Sequence, residues 1–268
     1  MEHHSDQLIN EYLLQVPSLK WSDFVGYEEL TSFLKQSIEF RNEQKFKRIL
    51  IYGLPGIGKT YLSHTIGKTS NLNYYPFNCL FFFENNSCNI DKLNEMFKKA
   101  KNNKPSVLLL DEIAFIFRDN ENEFISLMEE IKNEDQILFI GTSAKPWKIE
   151  YKYLEKFDKK IYIPLPNLKT RELLIRKYFT EKNTITDEQY EYLSQKTEGF
   201  SVSDLIMLNK QVCSIVIQKI MINHKPEEIT ENIPIIFDYY LEALQQIKPS
   251  LTQDDIKQYE KFNSQNLN

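Results

Sequence analysis

Eight consecutive residues decide the fold class of this chain: Gly53-Leu54-Pro55-Gly56-Ile57-Gly58-Lys59-Thr60. They follow the pattern G-x-x-x-x-G-K-[ST], in which glycines let backbone N–H groups turn inward around a β-phosphate, the lysine reaches the β and γ oxygens, and the hydroxyl ligates Mg²⁺. The chain has only seven glycines in 268 residues, and three of them lie in this stretch. A glycine turn in a fold that binds no nucleotide is the alternative, but the complete motif favours a phosphate-binding loop.

The residues on either side of the loop support the same interpretation. Arg48 to Tyr52 form an apolar run that is typical of a buried parallel strand, and the stretch from Tyr61 to Lys68 indicates a helix. A phosphate held by the loop would therefore lie at a helix N-terminus, where unpaired N–H groups and the helix dipole favour an anion.

A second motif follows about fifty residues after the loop. Val107 to Leu110 are apolar, and Asp111 and Glu112 come directly after them. Two carboxylates after a strand are often only a solvated turn. Behind a phosphate-binding loop, however, they predict an ATPase site, in which the first carboxylate holds the water shell of magnesium and the second polarises the attacking water.

Short apolar strands alternate with helical stretches up to residue 166, which predicts an α/β fold with a parallel sheet and helices on both faces. The predicted strands are Arg48–Tyr52, Asn73–Phe77, Val107–Leu110, Ile137–Ile140 and Lys160–Ile163, and the predicted helices are Tyr61–Lys68, Asp91–Lys101 and Asn122–Lys132. From Leu168 onward the periodicity is helical only. We therefore expect a tail over residues 1–16, an α/β domain over 17–166, a small helical domain over 167–247, and a C-terminal helix over 248–268 that packs back on the core.

The helical half carries clear boundary signals. Thr186-x-x-Gln189 and Ser201-x-x-Asp204 are capping boxes, and Gly199 lies where a helix often ends with a glycine. The apolar face of the helix that follows is predicted to consist of Leu205, Leu208, Val212 and Ile215.

Composition excludes several classes of protein. A net charge of −5 gives no global attraction for nucleic acid, so no specific nucleic-acid partner is expected. The three cysteines form no C-x-x-C pair or Cys/His cluster, which predicts neither a disulfide framework nor a zinc site. Because the sequence has no apolar run of transmembrane length and no signal-peptide pattern, we expect a cytoplasmic protein that meets membranes only indirectly.

Several stretches together resemble the AAA ATPases of the meiotic clade, and the likeness is greatest to the vacuolar protein sorting ATPases that disassemble ESCRT-III filaments. Katanin-like and spastin-like severing enzymes are the neighbouring groups. The resemblance covers residues 17 to 262. Besides the loop and Leu110-Asp111-Glu112, it rests on Lys20-Trp21-Ser22-Asp23-Phe24-Val25-Gly26, Ile161-Tyr162-Ile163-Pro164-Leu165-Pro166, Gly199-Phe200-Ser201-x-Ser203-Asp204 and Tyr259-x-x-Phe262.

This resemblance implies an ASCE-type phosphate-loop sheet followed by a helical lid, with ATP at a subunit interface. It implies a homo- or hetero-hexamer that draws a polypeptide, such as an ESCRT-III-like subunit, through its pore at endosomal membranes. Carried over by position, Glu112 activates water, Lys59 is the second catalytic residue and reaches the β and γ oxygens, and Thr60 and Asp111 serve Mg²⁺. The residues implied to bind the nucleotide are Gly53, Leu54, Pro55, Gly56, Ile57, Gly58, Lys59, Thr60 and Tyr61, with Asp23, Val25 and Gly26 beside the adenine. A simple turn packed on the sheet explains Asp23, Val25 and Gly26 equally well.

The chain also departs from the family pattern. Where the family has trans-acting arginines, this chain has Leu154-Glu155-Lys156-Phe157-Asp158-Lys159-Lys160, and lysine does not reproduce the planar fork of an arginine finger. Ala144 stands in the place of the sensor asparagine, and the hydroxyl of Thr142 or Ser143 is a candidate substitute. The pore-loop motif is absent, and we interpret Phe81-Phe82-Phe83 as core strand in preference to a peptide grip. We also expect no N-terminal module that binds substrate tails.

Three hypotheses follow. The first is a protein-remodelling ATPase of the ESCRT-disassembling type. The second is a nucleotide-binding subunit that hydrolyses ATP poorly and acts as a scaffold or regulator in a mixed ring. The third, a small-molecule kinase with a phosphate loop, fits the helical C-terminal half less well.

Overall fold

The computed structural model describes residues 19–39, 47–81, 83–84, 87–118, 121–132, 136–178, 184–223 and 235–266. The predicted tail over residues 1–16 lies outside these ranges. The strands are β1 Arg48–Gly53, β2 Asn73–Asn78, β3 Phe83–Glu84, β4 Ser87–Cys88, β5 Ser106–Asp111, β6 Ile137–Ser143 and β7 Lys159–Ile163. The helices are α1 Glu28–Glu39, α2 Lys59–Thr69, α3 Ile90–Asn102, α4 Glu121–Lys132, α5 Tyr151–Leu154, α6 Leu168–Tyr178, α7 Asp187–Lys196, α8 Val202–Asn223, α9 Phe237–Gln246 and α10 Gln253–Asn266.

Five strands form one parallel sheet in the order β2-β5-β6-β1-β7. This confirms the predicted α/β fold, and each predicted strand and helix is present with small differences at its ends. Every residue of β1 and β5 is buried, as expected for inner strands covered on both faces by helices. Strands β3 and β4, which sequence patterning did not predict, form a separate antiparallel hairpin.

The parallel arrangement determines where a site forms. Because all five strands run in the same direction, their C-terminal residues lie along one edge of the sheet. Gly53, Asn78, Asp111 and Ser143 are the last residues of β1, β2, β5 and β6. The phosphate-loop motif and the carboxylate motif are therefore brought to the same edge.

The helical half has a core of its own. Leu205, Leu208, Val212 and Ile215 are buried together with residues of α6, α7 and α9, as the periodicity of α8 predicted. Both capping boxes are present: Thr186 exchanges hydrogen bonds with Gln189, and Ser201 with Asp204. Gly199 has a left-handed φ of 80°, the conformation expected of a glycine that ends a helix.

The last helix, α10, packs against the sheet. Tyr259 and Phe262 belong to the buried cluster around β1, and the Phe262 ring meets that of Tyr52 edge-on at a centroid distance of 5.5 Å. The Tyr52 hydroxyl also donates to Asn263 Oδ1 over 2.8 Å. The C-terminal helix thus returns to the strand that precedes the phosphate loop.

A mostly buried ion pair joins the start of β1 to the start of β7. Asp158 accepts hydrogen bonds from the backbone N–H groups of Lys47 and Arg48, both at 2.9 Å, and from the Arg48 guanidinium at 2.6 Å. Burial opposes ionisation of Asp158, but these hydrogen bonds hold its pKa below the usual range. The side chains are 21% and 9% exposed for Asp158 and Arg48, so water does little to replace a lost partner.

We predict that Asp158→Ala lowers the free energy of unfolding by about 2–4 kcal/mol, because three N–H donors and the Arg48 charge lose their acceptor. The measurement is equilibrium denaturation. Glu130→Gln removes the Lys101–Glu130 pair, whose side chains are 42% and 51% exposed, and serves as the control. It should change stability by less than about 0.5 kcal/mol. Equal effects of the two substitutions would contradict the prediction.

Candidate nucleotide-binding site

The phosphate loop occupies the turn between β1 and α2, and α2 begins at Lys59. Gly56 and Gly58 have left-handed φ angles of 75° and 94°, which only glycine adopts without strain. A side chain at Gly58 would also bring its Cβ to 3.2 Å from the Phe24 ring. The glycines are therefore required by the backbone path, and the loop carries the helix N-terminus that the sequence predicted.

Lys59 is buried at the base of this loop, where its ammonium group donates to the carbonyl oxygen of Leu54 over 3.0 Å. Burial lowers its pKa, and the nearby carboxylates of Glu112 and Asp111 oppose that shift. The cation therefore lies within electrostatic reach of both acidic residues of the second motif.

The carboxylate of Asp111 is buried and lies among hydroxyl and amide donors of neighbouring elements. Thr60 Oγ1 donates to it from 3.0 Å and Asn78 Nδ2 from 3.1 Å, and the Thr142 hydroxyl donates to Oδ1. Strands β2 and β6 and helix α2 thus meet at one side chain of β5.

Thr60 and Asp111, the two residues predicted to serve magnesium, are therefore in direct contact. A hydroxyl and a carboxylate oxygen are ligands that Mg²⁺ accepts, and Mg²⁺ commonly takes its remaining ligands from water and substrate phosphates. Within the described ranges, no group of three or more His, Cys, Asp or Glu residues is arranged to hold a metal without such help. The donor set fits a nucleotide-bound magnesium ion.

Glu112 is held in an unusual backbone conformation, with a left-handed φ of 56°. Its N–H donates to Thr142 Oγ1, and its Oε2 accepts the N–H of Ala144, each over 3.0 Å. Burial raises the pKa of Glu112, against the effects of the Ala144 hydrogen bond and of Lys59. Backbone strain of this kind occurs at functional sites, where it points a side chain in a fixed direction.

A cavity of about 380 Å³ opens beside the phosphate loop and reaches Glu112. Its other walls are mainly apolar and come from the N-terminal segment, α6 and the start of α8: Phe24, Val25, Tyr27, Leu174, Tyr178, Val202, Ser203 and Ile206. Pockets that bind a planar base have such apolar walls with few polar groups.

Asp23, Val25 and Gly26, the three residues predicted to lie beside the adenine, have different positions relative to the cavity. Val25 lines the cavity. Gly26 lies next to it, with its carbonyl accepting a hydrogen bond from Thr170 Oγ1 over 3.1 Å. Asp23 ends a short 3₁₀ turn, and its side chain is outside the described part of the chain.

Comparison with known proteins agrees with this geometry. Residues 49–165 match the model of the family "ATPase family associated with various cellular activities (AAA)". These residues are therefore similar to an AAA domain. The AAA domain of FIGL-1 in complex with ADP superposes with a TM-score of 0.83 at 20% sequence identity, covering 99% of this chain and 97% of that one.

Curated relatives match this chain over most of its length. Spastin of Dictyostelium discoideum is 25% identical over 96% of this chain and 43% of its own length. Vacuolar protein sorting-associated protein 4B of Mus musculus is 28% identical over 80% and 54%, respectively. The cell division cycle protein 48 homolog of Archaeoglobus fulgidus is 26% identical over 95% and 39%. This chain therefore spans about half the length of these relatives or less.

The segment from Leu154 to Lys160, where the resemblance implied arginines, makes contacts within its own chain. Lys156 forms an ion pair with Glu129, and Lys159 Nζ lies 5.6 Å from the centroid of the Phe33 ring. Asp158 binds Arg48, as described above, and Glu155 is exposed. Two of the three lysines in this segment thus already have partners in their own chain.

The hydroxyls of Thr142 and Ser143, the candidate substitutes for the sensor asparagine, also make hydrogen bonds within the chain. Thr142 connects Asp111 with the backbone of Glu112, and Ser143 Oγ accepts the N–H of Lys145 over 3.1 Å. The backbone N–H of Ala144 is the group that contacts the Glu112 carboxylate.

The prediction that the phenylalanine run is core strand is wrong for its first residue. Leu80 and Phe81 are 54% and 48% exposed, so for Phe81 the interpretation as core is wrong. Phe82 lies outside the described residues, and Phe83 begins the two-residue strand β3. The chain leaves the sheet after Asn78, whose side-chain oxygen accepts the N–H groups of Leu80 and Phe81 in a tight turn.

Sequence reasoning missed three contributors to the site. Asn78 could have been found, because a polar residue at the end of the strand beside β5 must lie near Asp111. Ser203, whose N–H donates to the Gly56 carbonyl over 2.9 Å, and Tyr259, whose hydroxyl reaches the Gly53 carbonyl over 2.9 Å, come from distant helices. No local pattern signals such contacts.

In the described part of the chain, no helix is both long and apolar enough to cross a membrane.

We predict that Thr142→Val lowers the free energy of unfolding by about 1–3 kcal/mol, because the buried N–H of Glu112 loses its acceptor and Asp111 loses a donor. Valine has nearly the same shape as threonine, so the effect isolates the hydroxyl. Thr142→Ser keeps the hydroxyl and should cost about 1 kcal/mol for the lost methyl group. Chemical denaturation measures both. A valine variant more stable than the serine variant would contradict the assigned role.

Proposed function

We propose that this chain binds ATP with Mg²⁺ and hydrolyses it to remodel or disassemble protein assemblies. The observation that carries the proposal is the contact of Thr60 with Asp111, beside a Glu112 held against Thr142 and Ala144. The match of residues 49–165 to the AAA family and the fold shared with the ADP complex of FIGL-1 support it.

In this reaction the phosphate loop, Lys59, Thr60, Asp111 and Glu112 each have a role. The loop from Gly53 to Tyr61 holds the phosphates, with its N–H groups at the start of α2 and the Lys59 ammonium directed at the β and γ oxygens. Thr60 and Asp111 hold magnesium, which neutralises charge on those oxygens when bound. Glu112 accepts a proton from the water that attacks the γ-phosphorus, and ADP and phosphate are the products.

The apolar cavity is proposed to take the base. Val25, Leu174 and Ile206 offer aliphatic walls to this cavity, and the ADP complex of the FIGL-1 domain supports an adenine nucleotide there. The assignment of Asp23 and Gly26 to the base stays a prediction, as does the division of the chain at residues 17–166, 167–247 and 248–268.

The substrate is proposed to be a polypeptide. Spastin and vacuolar protein sorting-associated protein 4B, both among the relatives, motivate a remodelling role. The finer proposal is an ESCRT-III-like subunit as substrate, a ring of six copies or of mixed subunits, and a cytoplasmic location peripheral to endosomal membranes. Exposed Leu80 and Phe81 beside the site offer apolar contacts for a peptide or a neighbouring copy.

A second candidate function is a nucleotide-binding subunit that hydrolyses ATP poorly and regulates a mixed ring. It is favoured by the segment 154–160, in which Lys156 pairs with Glu129 and Lys159 packs over Phe33. A ring made only of this chain would receive no arginine from that segment at any of its sites. An arginine finger contributes roughly 10³ to 10⁵ in rate in related ATPases, so its loss would leave slow turnover.

We predict that the wild-type chain releases phosphate from ATP and that Glu112→Gln abolishes this release while ATP still binds, because the glutamine cannot accept the proton. Lys59→Ala should lose binding by about tenfold or more, since a charge-assisted contact to phosphate is removed. Phosphate release and calorimetric titration of ATP with Mg²⁺ measure the two effects. Identical phosphate release by wild-type and Glu112→Gln would refute hydrolysis. Equal binding heats for wild-type and Lys59→Ala would refute the nucleotide site.

The two candidate functions differ in how turnover responds to a partner. If this chain is a regulatory subunit, adding an AAA subunit that carries finger arginines should raise turnover per Glu112 site by about tenfold or more. The competent partner carries its own Glu→Gln substitution, so that only sites of this chain report. Unchanged turnover would count against the mixed ring, whereas turnover that rises steeply with the concentration of this chain alone would favour a homo-oligomer.

A further inference from the structure

The hydroxyl of Tyr259 lies between the two halves of the site. It comes from α10, far from the motifs in sequence, and its single O–H proton is shared between the carbonyl oxygen of Gly53, at 2.9 Å, and that of Ala144. The side chain is 1% exposed. Its ring packs edge-on against Trp147, with the ring centroids 4.8 Å apart, and stacks on Tyr162, with the centroids 6.1 Å apart. These two aromatic neighbours hold the ring in place.

The two carbonyl groups belong to functionally distinct segments. Gly53 begins the phosphate loop, and Ala144 is the residue whose N–H donates to Glu112 Oε2 over 3.0 Å. One hydroxyl therefore connects the loop that holds the phosphates with the residue that orients the carboxylate.

We propose that Tyr259 is a positioning residue for hydrolysis, which fixes the spacing between Gly53 and Ala144 and thereby the direction of the Glu112 carboxylate. This rests on the proposed ATPase function. Carbonyl groups only accept hydrogen bonds, so the phenol must supply the proton. Burial raises the pKa of Tyr259, with the Glu112 charge acting in the same direction, and the phenol therefore stays a donor at physiological pH.

The contacts of the C-terminal segment extend this role to the helical half. The N–H of Ser250 lies 3.4 Å from Asp204 Oδ2, in the capping box at the start of α8. Ser203, the residue before Asp204, donates its N–H to the Gly56 carbonyl over 2.9 Å. The phosphate loop is thus contacted at Gly56 by the start of α8 and at Gly53 by α10.

Tyr259→Phe tests the proposal, because it removes the hydroxyl and keeps the ring. Turnover at saturating ATP should fall about three- to tenfold, the worth of one hydrogen bond. KM and the calorimetric affinity for ADP should change less than about twofold, since the loop itself is intact. Exchange of the Ala144 amide hydrogen, followed by mass spectrometry of the peptide that contains it, should become faster by a similar factor.

The matched control is Tyr52→Phe. It removes a hydroxyl of the same kind, bonded to Asn263 on the same helix, without touching Gly53 or Ala144. If Tyr259 only anchors α10, both variants will lose turnover alike, and that result would overturn the proposal. Unchanged turnover in Tyr259→Phe would overturn it as well.

Failure of the ATPase function itself is recognised separately. In that case the wild-type chain releases no more phosphate than Glu112→Gln, and the positioning role fails with it as a statement about hydrolysis. The exchange measurement then still decides the structural part: faster exchange at Ala144 in Tyr259→Phe but not in Tyr52→Phe supports the hydroxyl as the group that holds this residue, and equal exchange in both refutes it.

Discussion

The buried carboxylate of Asp111 is the interaction on which the site depends. Its oxygens accept hydrogen bonds from Thr60 on α2, Asn78 on β2 and Thr142 on β6, so three neighbouring elements are held in register around one side chain of β5. A buried charge is stable only when such donors surround it. In a parallel sheet these donors lie at the same edge, where the strands end. The hydrogen bonds that satisfy the buried carboxylate of Asp111 therefore also align the phosphate loop with Glu112.

Two layers of structure hold the catalytic groups. The sheet provides the first, because Thr142 and Ala144 at the end of β6 bind the backbone and side chain of Glu112. The C-terminal helices provide the second, with Ser203 and Tyr259 bonded to carbonyl groups of the phosphate loop. Displacement of α8 would consequently alter a contact of the loop at Gly56, and displacement of α10 would alter a contact at Gly53.

Residues 154–160 carry lysines where the resemblance implied arginines. Lysine carries a point charge on a flexible side chain and lacks the planar fork of arginine. Lys156 forms an ion pair with Glu129, and Lys159 lies over the Phe33 ring of the same chain. Within the ranges that the structure describes, Lys59 lines the cavity beside Glu112, and the charge of Lys145 also acts on that carboxylate. Whether a different chain provides an arginine separates the two proposed functions.

The sequence by itself determined the fold class, the five strands of the parallel sheet, the predicted helices, and the proximity of the phosphate loop to Asp111 and Glu112. These follow from local rules: glycines at left-handed positions, apolar runs of strand length, and motifs at consecutive strand ends of a parallel sheet. Only the tertiary structure decided the partners that come from afar, such as Tyr259 at Gly53, and the exposure of Phe81. Such contacts depend on how the helices pack and on where the chain leaves the sheet. Neither feature produces a periodic pattern in the sequence of the residues involved.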